Sequence, residues 1–501
     1  MKKYDIVVIG SGLGGLSTGL ILAINGYKVC VLEKNHQIGG TLQTFSRKGC
    51  CYDTGLHYLG SLDKGQILYK FFKYFGVLDM LELRRMDNDG FDIINLGGTE
   101  YKYGMGYENF EKQMLISFPN EEEAIKKYIA KMKEVSDSFD LYNMRYPVTF
   151  SFDSVEALSE NLQEYLESIT DDKALQNVLA GINVIYAQSP EDTSVYMHAL
   201  IFNYYINSSY RVLGGGQKVA DAFAVAIENN GGTVITKKEV VKFNYEGDKI
   251  SSILTKDNDE FFADKFISNL HPEVTIELAG EEHFRKAYVN RIKRLKNGIS
   301  NFALHIKLKE KNFPVNQSNY HYYKENSVWG VATYDENNWP KNFLLYTPEE
   351  DVNQTKTDCI SAFTYMKIEE LDKWKDTSVE KRGNDYKEWK KMKAEKLLAF
   401  VTEQFPQLKN NVDSYYVSTP LTYRDYIGTK DGAMYGFIRD SRNPNESQIM
   451  PKTRIPNLLL TGQNINLHGS LGVLISSVVT CGEILGTNEL VKQFNDVVNE
   501  D

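Results

Sequence analysis

The chain has 501 residues, enough for two or three domains, and its 42% hydrophobic and 25% charged residues are ordinary for a globular protein. The net charge of −10, without a strongly basic stripe, argues against nucleic-acid binding. No apolar run reaches the length of about 18 residues that a membrane-spanning helix needs.

The cysteines give no sign of a metal site or of a disulfide framework. Five are present, Cys30, Cys50, Cys51, Cys359 and Cys481, and none forms a C-x-x-C pair. We therefore expect no metal, a reducing compartment and a cytoplasmic location.

The first element is a predicted strand, glycine turn, helix and second strand. The apolar run Asp5–Ile9 leads directly into a G-x-G-x-x-G turn made by Gly10, Gly12 and Gly15. Gly10 permits the tight turn, Gly12 lets the backbone approach a pyrophosphate, and Gly15 lets the helix pack closely on the strand. The N-terminus of the predicted helix 14–25 attracts phosphate groups. A dinucleotide site is therefore expected here.

The second strand, Lys28–Leu32, ends in Glu33, where a ribose-binding carboxylate belongs. Six residues later comes the pair Gly39-Gly40, followed by Thr41. This spacing resembles the extended fingerprint of FAD-binding flavoproteins such as amine oxidases and phytoene desaturases. The resemblance implies FAD contacts at Gly10, Gly12, Gly14, Gly15, Glu33, Lys34, Gly39, Gly40 and Thr41.

The next segment, Tyr52–Gly60, carries the pattern D-x-G-x-H. It resembles a segment near the flavin in the branch of retinol saturases and carotenoid isomerases. His57 is therefore a candidate catalytic group beside the isoalloxazine, and an equally weighted alternative is that it only satisfies backbone groups in a buried turn.

The middle of the chain predicts helices. Asn120 is the predicted N-cap of a helix whose core-facing stripe comprises Ile125, Tyr128, Ile129, Met132 and Val135. The apolar stretch 196–206 is interpreted as core, with a lipid tunnel or peripheral contact with a membrane surface as alternatives.

A glycine turn at 214–216 precedes a predicted helix over 218–229 and a hairpin over 249–255 and 260–267. The segment around Val240 resembles the return to the FAD domain, which implies that the Val240 backbone contacts the adenine. The chain shows one dinucleotide fingerprint, which argues against a permanent second dinucleotide site. NAD(P)H is kept as a candidate transient electron donor.

The last third predicts a half-buried strand over 301–309 and a helix that Pro406 ends. Segments 418–426 and 432–436 again resemble the retinol saturase and carotenoid isomerase branch, without an assignable role. A strand over 458–460, a glycine turn and a helix over 473–485 follow. In related flavoproteins the matching segment holds the ribityl chain and the pyrimidine end of the flavin, which implies contacts at Gly462, Asn464, Gly472 and Val473.

Together these features predict an α/β fold, in which a Rossmann-like FAD-binding domain (1–65, 210–275 and 450–501) is interleaved with an α+β substrate domain (66–209 and 276–449). The resemblance implies an FAD-dependent oxidoreductase that saturates, desaturates or isomerises carbon–carbon double bonds of a conjugated isoprenoid. The expected partner is thus an apolar small molecule. Open alternatives are an amine-oxidase-like flavoenzyme, an isomerase of another unsaturated lipid, and a non-catalytic prenyl-binding escort protein.

Overall fold

The fold is that of a computed structural model, which describes residues 3–149 and 157–499. The strands are β1 (Lys3–Ile9), β2 (Val29–Leu32), β3 (Thr44–Arg47), β4 (Cys50–Asp53), β5 (Leu59–Gly60), β6 (Leu83–Arg85), β7 (Asp92–Leu96), β8 (Thr99–Tyr103), β9 (Ser209–Val212), β10 (Thr233–Ile235), β11 (Val240–Glu246), β12 (Lys249–Thr255), β13 (Glu260–Ser268), β14 (Ser300–Leu308), β15 (Phe313–Pro314), β16 (Asn319–Tyr323), β17 (Asn342–Tyr346), β18 (Lys356–Thr357), β19 (Cys359–Met366), β20 (Val412–Ser418) and β21 (Leu458–Leu460).

The helices of the same residues are α1 (Leu13–Ile24), α2 (Ile67–Tyr74), α3 (Tyr107–Ser117), α4 (Glu122–Asp137), α5 (Asp140–Asn143), α6 (Leu162–Ile169), α7 (Lys173–Leu179), α8 (Val195–Asn207), α9 (Gln217–Asn229), α10 (Pro272–Ala279), α11 (Lys286–Arg294), α12 (Gly383–Gln404), α13 (Pro420–Ile427), α14 (Gly469–Leu485) and α15 (Thr487–Asn499).

The first sheet has the order β10-β2-β1-β13-β12-β11, and β21 pairs with β13. Its central strand β1 is buried on both faces: Ile6 and Val8 pack in the core that contains α1, and Val7 and Ile9 pack in a second core with α10 and α11. This explains the continuous apolar run, because a parallel strand covered on both sides has no polar face. The strands of this sheet lie in segments 1–65, 210–275 and 450–501.

The parallel strands β1, β2, β13 and β21 all end at one edge of this sheet. Their carboxyl ends bring together Gly10, Glu33, Asn269 and Thr461. Ligands of open α/β sheets bind in the crevice at such an edge, where neighbouring connections diverge. The fold therefore assembles one binding crevice from three distant segments.

The second sheet has the order β20-β14-β19-β17-β16-β7-β8. The prediction that the strand over 301–309 is half-buried is wrong, since every residue of β14 except Lys307 is buried. Phe302, Leu304 and Ile306 pack against α12, whereas Ala303 on the other face belongs to the large core shared with the first sheet. The polar residues of the alternating pattern, such as His305, therefore lie on a second buried face of β14 and not on a solvent-exposed face.

The helix predictions are confirmed apart from their starts. The stripe on α4 is buried as predicted, but the helix begins at Glu122 with Glu121 at the N-cap, so Asn120 is not the cap. The last helix of the crevice, α14, begins at Gly469 rather than at the predicted Val473. In both places the chain turns into the helix at a different residue from the one favoured by local capping and turn preferences.

The expectation of no disulfide is wrong. A disulfide joins Cys50 on β4 to Cys359 on β19, two residues 309 positions apart, while Cys51 remains a free thiol. The Asp358 carboxylate lies close to both sulfur atoms, but these are consumed in the disulfide. The pairing was invisible in the sequence because only the tertiary structure places β4 against β19.

Among the described residues, no single helix is long and apolar enough to cross a membrane. Segments 469–485 and 487–497 reach that length and apolarity only together, and they are bent by 119° at their junction.

Candidate flavin site

The glycine turn between β1 and α1 has room for backbone and not for side chains. Gly10 has a φ of +94°, and a Cβ atom on Gly15 would lie 1.9 Å from the Gly10 carbonyl oxygen. A Cβ on Gly14 would lie 2.8 Å from the Gly462 Cα and 2.5 Å from Asn269 Oδ1. Glycine is thus required sterically at these positions, and the N-terminus of α1 stays open to a ligand.

Glu33 closes one side of this turn. Its buried carboxylate accepts hydrogen bonds from the Ser11 hydroxyl (2.6 Å) and the Ser11 backbone N–H (3.1 Å). The Glu33 carbonyl accepts the Lys238 N–H at 2.7 Å, which brings the start of β11 and the buried Val240 to this end of the crevice. Lys34 points elsewhere: its Nζ donates to the Asp425 carbonyl on α13. Its side chain therefore does not reach the glycine turn.

The second glycine pair lies against the first. The Gly39 N–H donates to the Ser11 carbonyl at 3.0 Å, and a Cβ on Gly40 would lie 3.2 Å from the Gly12 Cα. Thr41 follows on the exposed surface of the crevice. Gly12 and Gly39, which are 27 positions apart in the chain, form an isolated parallel bridge, so the two glycine segments make a continuous backbone surface.

A second uncapped helix, α14, packs beside the first. Neither α1 nor α14 has a side-chain cap, and Ser477 of α14 bonds to the Ser17 hydroxyl (2.6 Å) and the Gly14 carbonyl (3.3 Å) of α1. Uncapped N-termini offer free N–H groups and a positive dipole to anionic groups. Since Ser17 and Thr18 of α1 contact Ser477 and Cys481 of α14, the two helices run parallel, and the first two turns of α14 extend beyond the start of α1.

The predicted residues near α14 have different surroundings. Gly462 has a φ of +97° and packs on Asn269, and Asn464 Oδ1 accepts the Phe437 N–H at 3.0 Å. A Cβ on Gly472 would lie 2.6 Å from the Leu467 carbonyl oxygen, so this glycine is required by chain packing. Val473 is half-buried in the second turn of α14. Gly462 therefore borders the glycine turn, whereas Asn464 holds the backbone at Phe437.

These residues fit FAD. The glycine surface and the α1 N-terminus suit the pyrophosphate, Glu33 suits a ribose, and the start of β11 lies where an adenine would follow. At the other end, the His468 Nε2 atom is buried without a hydrogen-bond partner among the described residues. A polar ring system beside the α14 N-terminus would supply that partner.

His57 lies in an aromatic stack beyond Thr41. A Cβ on Gly55 would lie 2.8 Å from the Thr41 carbonyl oxygen, and His57 stacks between Tyr58 (4.7 Å) and Tyr346 (5.0 Å between ring centroids). Its Nε2 atom is buried and has no hydrogen-bond partner among the described residues. Both small cavities that His57 lines are bordered by Tyr346. The imidazole therefore has one nitrogen available to a ligand.

The electrostatics keep His57 neutral. Burial, followed by the charge of Arg211, lowers the pKa of His57 to about 3. Arg211 donates to the His57 carbonyl at 2.7 Å and lies 3.3 Å from the Glu349 carboxylate. At neutral pH the imidazole can donate or accept one hydrogen bond but carries no charge.

Two residues of the site were missed by sequence reasoning. Asn269 contacts the glycine turn and Gly462, and Asp53 Oδ1 accepts the Gly216 N–H at 2.8 Å at the start of α9. Burial raises the pKa of Asp53 to about 7 despite that hydrogen bond. The position of Asn269 directly after a strand was a usable signal, but only the pairing of β13 with β1 shows that it reaches the turn.

A largely apolar cavity of about 690 Å³, whose lining also includes Asp140, Arg439 and Asp440, leads toward the N-terminus of α14. Its wall includes Tyr196 and Leu200 of α8 and Ile475 and Val479 of α14. Tyr142, Leu200, Leu467 and Ile475 also line a smaller cavity of about 40 Å³ that reaches His468 and Gly469. The apolar stretch 196–206 thus forms buried core and also borders a cavity.

Comparison with known proteins agrees with this geometry. Residues 13–471 match the family model described as flavin containing amine oxidoreductase. The chain is 28% identical to the all-trans-retinol 13,14-reductase of Danio rerio over 97% of this chain and 86% of that protein. It is 24% identical to prolycopene isomerase 1 of an Oncidium hybrid cultivar, over 87% and 75% of the two chains.

An oxidoreductase from Methanosarcina mazei has the same fold, with a TM-score of 0.60 and 17% identity over 95% of this chain and 99% of that chain. The predicted α/β fold, with a Rossmann-like domain interleaved with a second domain, is confirmed, and so is FAD as the cofactor. The chain belongs to the flavin-containing amine oxidoreductase family and is an FAD-dependent oxidoreductase.

Proposed function

We propose that this protein transfers hydride to or from a carbon–carbon double bond of an apolar conjugated isoprenoid, in the manner of a carotenoid- or retinoid-acting enzyme. The proposal depends mainly on the apolar cavity between α8 and α14. Together with the smaller cavity beside it, it reaches the N-terminus of α14, and no residue of the glycine turn lines either cavity. The names of the reductase and isomerase relatives support the same substrate class.

The residues of the chain have three tasks in such a reaction. The glycine turn and Glu33 hold the cofactor, which when bound supplies the hydride chemistry. The cavity orients an apolar chain and excludes water, since Leu200, Leu467 and Ile475 are all buried. His57 holds or moves a proton at Nε2, the atom left without a partner among the described residues.

The test is anaerobic mixing of the reduced, FAD-loaded protein with carotenoids, retinoids and unsaturated fatty acids, followed by flavin absorbance and product analysis. We expect reoxidation by a conjugated isoprenoid and a product with one double bond fewer. An isomerised product without net reoxidation would support the redox-neutral form of the same proposal.

Two results would contradict it. Bleaching of the oxidised protein by an amine panel, with no response to polyenes, would favour an amine oxidase. A colourless protein that cannot take up FAD would favour an escort function and would overturn the cofactor assignment as well.

A further inference from the structure

Arg439 is a half-buried cation that forms no ion pair with the described residues. Its guanidinium instead donates to two backbone carbonyls, that of Ser447 and, at 2.8 Å, that of Asn464. An arginine has five N–H donors, so these two bonds leave donors for a further group. Because a partly buried charge without an opposite charge is costly, this site favours an anionic neighbour.

The stretch of chain that carries Arg439 runs alongside the loop that leads into α14. The Phe437 N–H donates to Asn464 Oδ1 at 3.0 Å, and the ring centroids of Tyr435 and His468 are 4.7 Å apart. His468 is the N-cap residue of α14. The guanidinium is therefore fixed to the backbone of the loop from which this helix starts.

The start of α14 has two further features that attract negative charge. The helix has 17 residues and no side-chain cap, so its first N–H groups and its dipole are open to a ligand. His468 is 8% exposed, and its Nε2 atom has no hydrogen-bond partner among the described residues. Burial, followed by the charge of Arg439, lowers the pKa of His468 to about 4, so its ring is neutral at pH 7. The full positive charge at this helix start therefore comes from Arg439.

The surroundings direct this charge toward the helix rather than toward the large cavity. Arg439 lines the cavity of about 690 Å³, but Asp140 and Asp440 line it too, so its described lining has no excess of positive charge. The small cavity that reaches His468 and Gly469 has no carboxylate among its described lining residues. An anion is therefore favoured at the helix start more than in the large cavity.

We propose that Arg439, together with His468 and the N-terminus of α14, stabilises the negative charge that FAD acquires on reduction and so raises its reduction potential. When FAD occupies the glycine turn, its isoalloxazine is the polar ring that would meet His468 Nε2. Two-electron reduction places negative charge on the pyrimidine part of that ring system unless a proton neutralises it. A cation, a hydrogen-bond donor and a helix N-terminus each lower the free energy of the charged form. Arg439 is thus a positioning residue, which acts through its charge and through the Asn464 backbone.

The inference needs the FAD cofactor but not the isoprenoid substrate of the proposed function. The test is the reduction potential of the FAD-loaded protein, measured by equilibration with a redox dye during anaerobic reduction. Arg439→Gln should lower the potential by about 30 mV or more, which corresponds to tenfold weaker stabilisation of the two-electron-reduced form.

Sulfite gives a second readout without any substrate. Its sulfur lone pair forms a bond to flavin N5, and the negative charge stays on the pyrimidine ring, so neither a proton nor an external oxidant is required. Arg439→Gln should weaken sulfite binding about tenfold or more, measured as loss of flavin absorbance. His468→Leu, which keeps the carbonyl contacts of Arg439, should change both readouts in the same direction.

Two control variants separate charge from structural support. Arg439→Lys keeps the charge but not the paired carbonyl contacts, and it should stay close to the wild-type potential. Arg454→Gln makes the same charge change at an exposed position before β21 and should equal the wild type. FAD content and melting temperatures verify that each variant is folded and loaded.

An unchanged potential in Arg439→Gln would overturn the proposal. Equal losses in Arg439→Gln and Arg439→Lys would overturn it as well, because they would show a structural role. So would weaker binding of an isoprenoid acid at an unchanged potential, which would assign Arg439 to the substrate. Because no polyene enters the measurement of potential, failed polyene reduction would contradict only the proposed function.

Discussion

At the scale of single residues, burial decides the chemistry of the histidines. Burial lowers the pKa of His57, His198 and His305 to about 3. His57 differs from His198 in its partners: His198 is bonded on both ring nitrogens, to Tyr128 (2.7 Å) and Tyr186 (2.8 Å), whereas His57 Nε2 is unpaired among the described residues. An unsatisfied nitrogen next to a cofactor crevice indicates a functional histidine, and a doubly bonded one indicates a structural histidine.

The substitution His57→Gln should lower the rate of polyene-dependent flavin reoxidation by about 100-fold, the range of general acid–base catalysis, with FAD content unchanged. The pKa of His57 is about 3, so its imidazole stays neutral between pH 8 and pH 5. The wild-type rate should therefore not fall around pH 6.5, where an exposed histidine would gain a proton. Anaerobic stopped-flow absorbance measures both. Unchanged turnover and an unchanged flavin spectrum in the variant would remove His57 from the mechanism.

His198 should make the protein less stable in acid. The pKa of His198 is about 3 in the folded protein, whereas an exposed histidine has a pKa of 6.5, so the unfolded chain binds the proton first. The free energy of unfolding therefore falls as the pH drops below 6.5, by up to about 1.4 kcal/mol per pH unit from this residue.

Urea unfolding of His198→Phe should show a loss of about 1–3 kcal/mol at neutral pH, from the unpaired Tyr186 hydroxyl, and a shallower decline toward pH 4.5. Parallel declines in wild type and variant would show that His198 does not set the acid sensitivity.

At the scale of elements, the site depends on turns and helix ends rather than on whole helices or strands. The turn between β1 and α1 holds its shape because Gly10 takes a φ of +94° and Gly15 packs on the Gly10 carbonyl. The middle of α14 packs against this turn, where the Ser477 hydroxyl donates to the Gly14 carbonyl. A small change in any of these elements should alter cofactor binding before it alters the fold.

Gly15→Ala should weaken FAD binding about tenfold to hundredfold, as expected for about 1–3 kcal/mol of overpacking at a backbone contact. Gly90→Ala is the control, since its Cβ would meet only the flexible Lys102 side chain at 3.5 Å. Flavin absorbance of the purified proteins and FAD titration of the apoproteins give the comparison. Full FAD occupancy in Gly15→Ala would show that the turn tolerates a methyl group.

The disulfide joins two elements that belong to different sheets. Cys50→Ala/Cys359→Ala should lower the free energy of unfolding by about 2–4 kcal/mol, because the bond closes a very long loop of the unfolded chain. Reductant should destabilise the wild type and leave the double variant unaffected, and Cys51→Ser should behave like the wild type. If the wild type with and without reductant, the double variant and Cys51→Ser were all equally stable, the disulfide would not form in solution.

At the scale of the whole molecule, cavities form where segments that are far apart in the chain meet. The apolar cavity lies between α8 and α14. A groove of about 880 Å³, whose lining includes Arg47, Lys387, Lys390 and Lys391, lies between β3 and the elements α12, α13 and β20. The two spaces share no lining residue, and each has a neighbouring small cavity closer to the site. The fold thus has two separate large cavities whose linings differ in charge.

Leu200→Trp should obstruct the apolar approach, since Leu200 borders both the large cavity and the smaller one beside His468. We expect slower flavin reoxidation by polyenes, with unchanged FAD content. Leu200→Met, which conserves volume, is the control and should retain the wild-type rate. An unaffected rate in Leu200→Trp would place the substrate path elsewhere.

The sequence by itself determined the β1–α1–β2 unit and the cofactor, because the spacing of Gly10, Gly12, Gly15, Glu33 and Gly39 expresses local steric requirements within 30 residues. It also identified the buried helix stripe on α4, since a periodic pattern needs no knowledge of partners. Helix starts were less predictable, as Asn120 and Val473 show.

Only the tertiary structure decided the features made by residues far apart in the chain. The contact of Asn269 with the glycine turn, the Cys50–Cys359 bond and the covering of both faces of β14 all depend on strand order. The surroundings of His57, which set its pKa, come from Arg211 and Tyr346, and the two cavities arise where separate segments fail to fill space. Local sequence encodes backbone geometry, whereas burial, charge environment and empty volume are properties of the assembled chain.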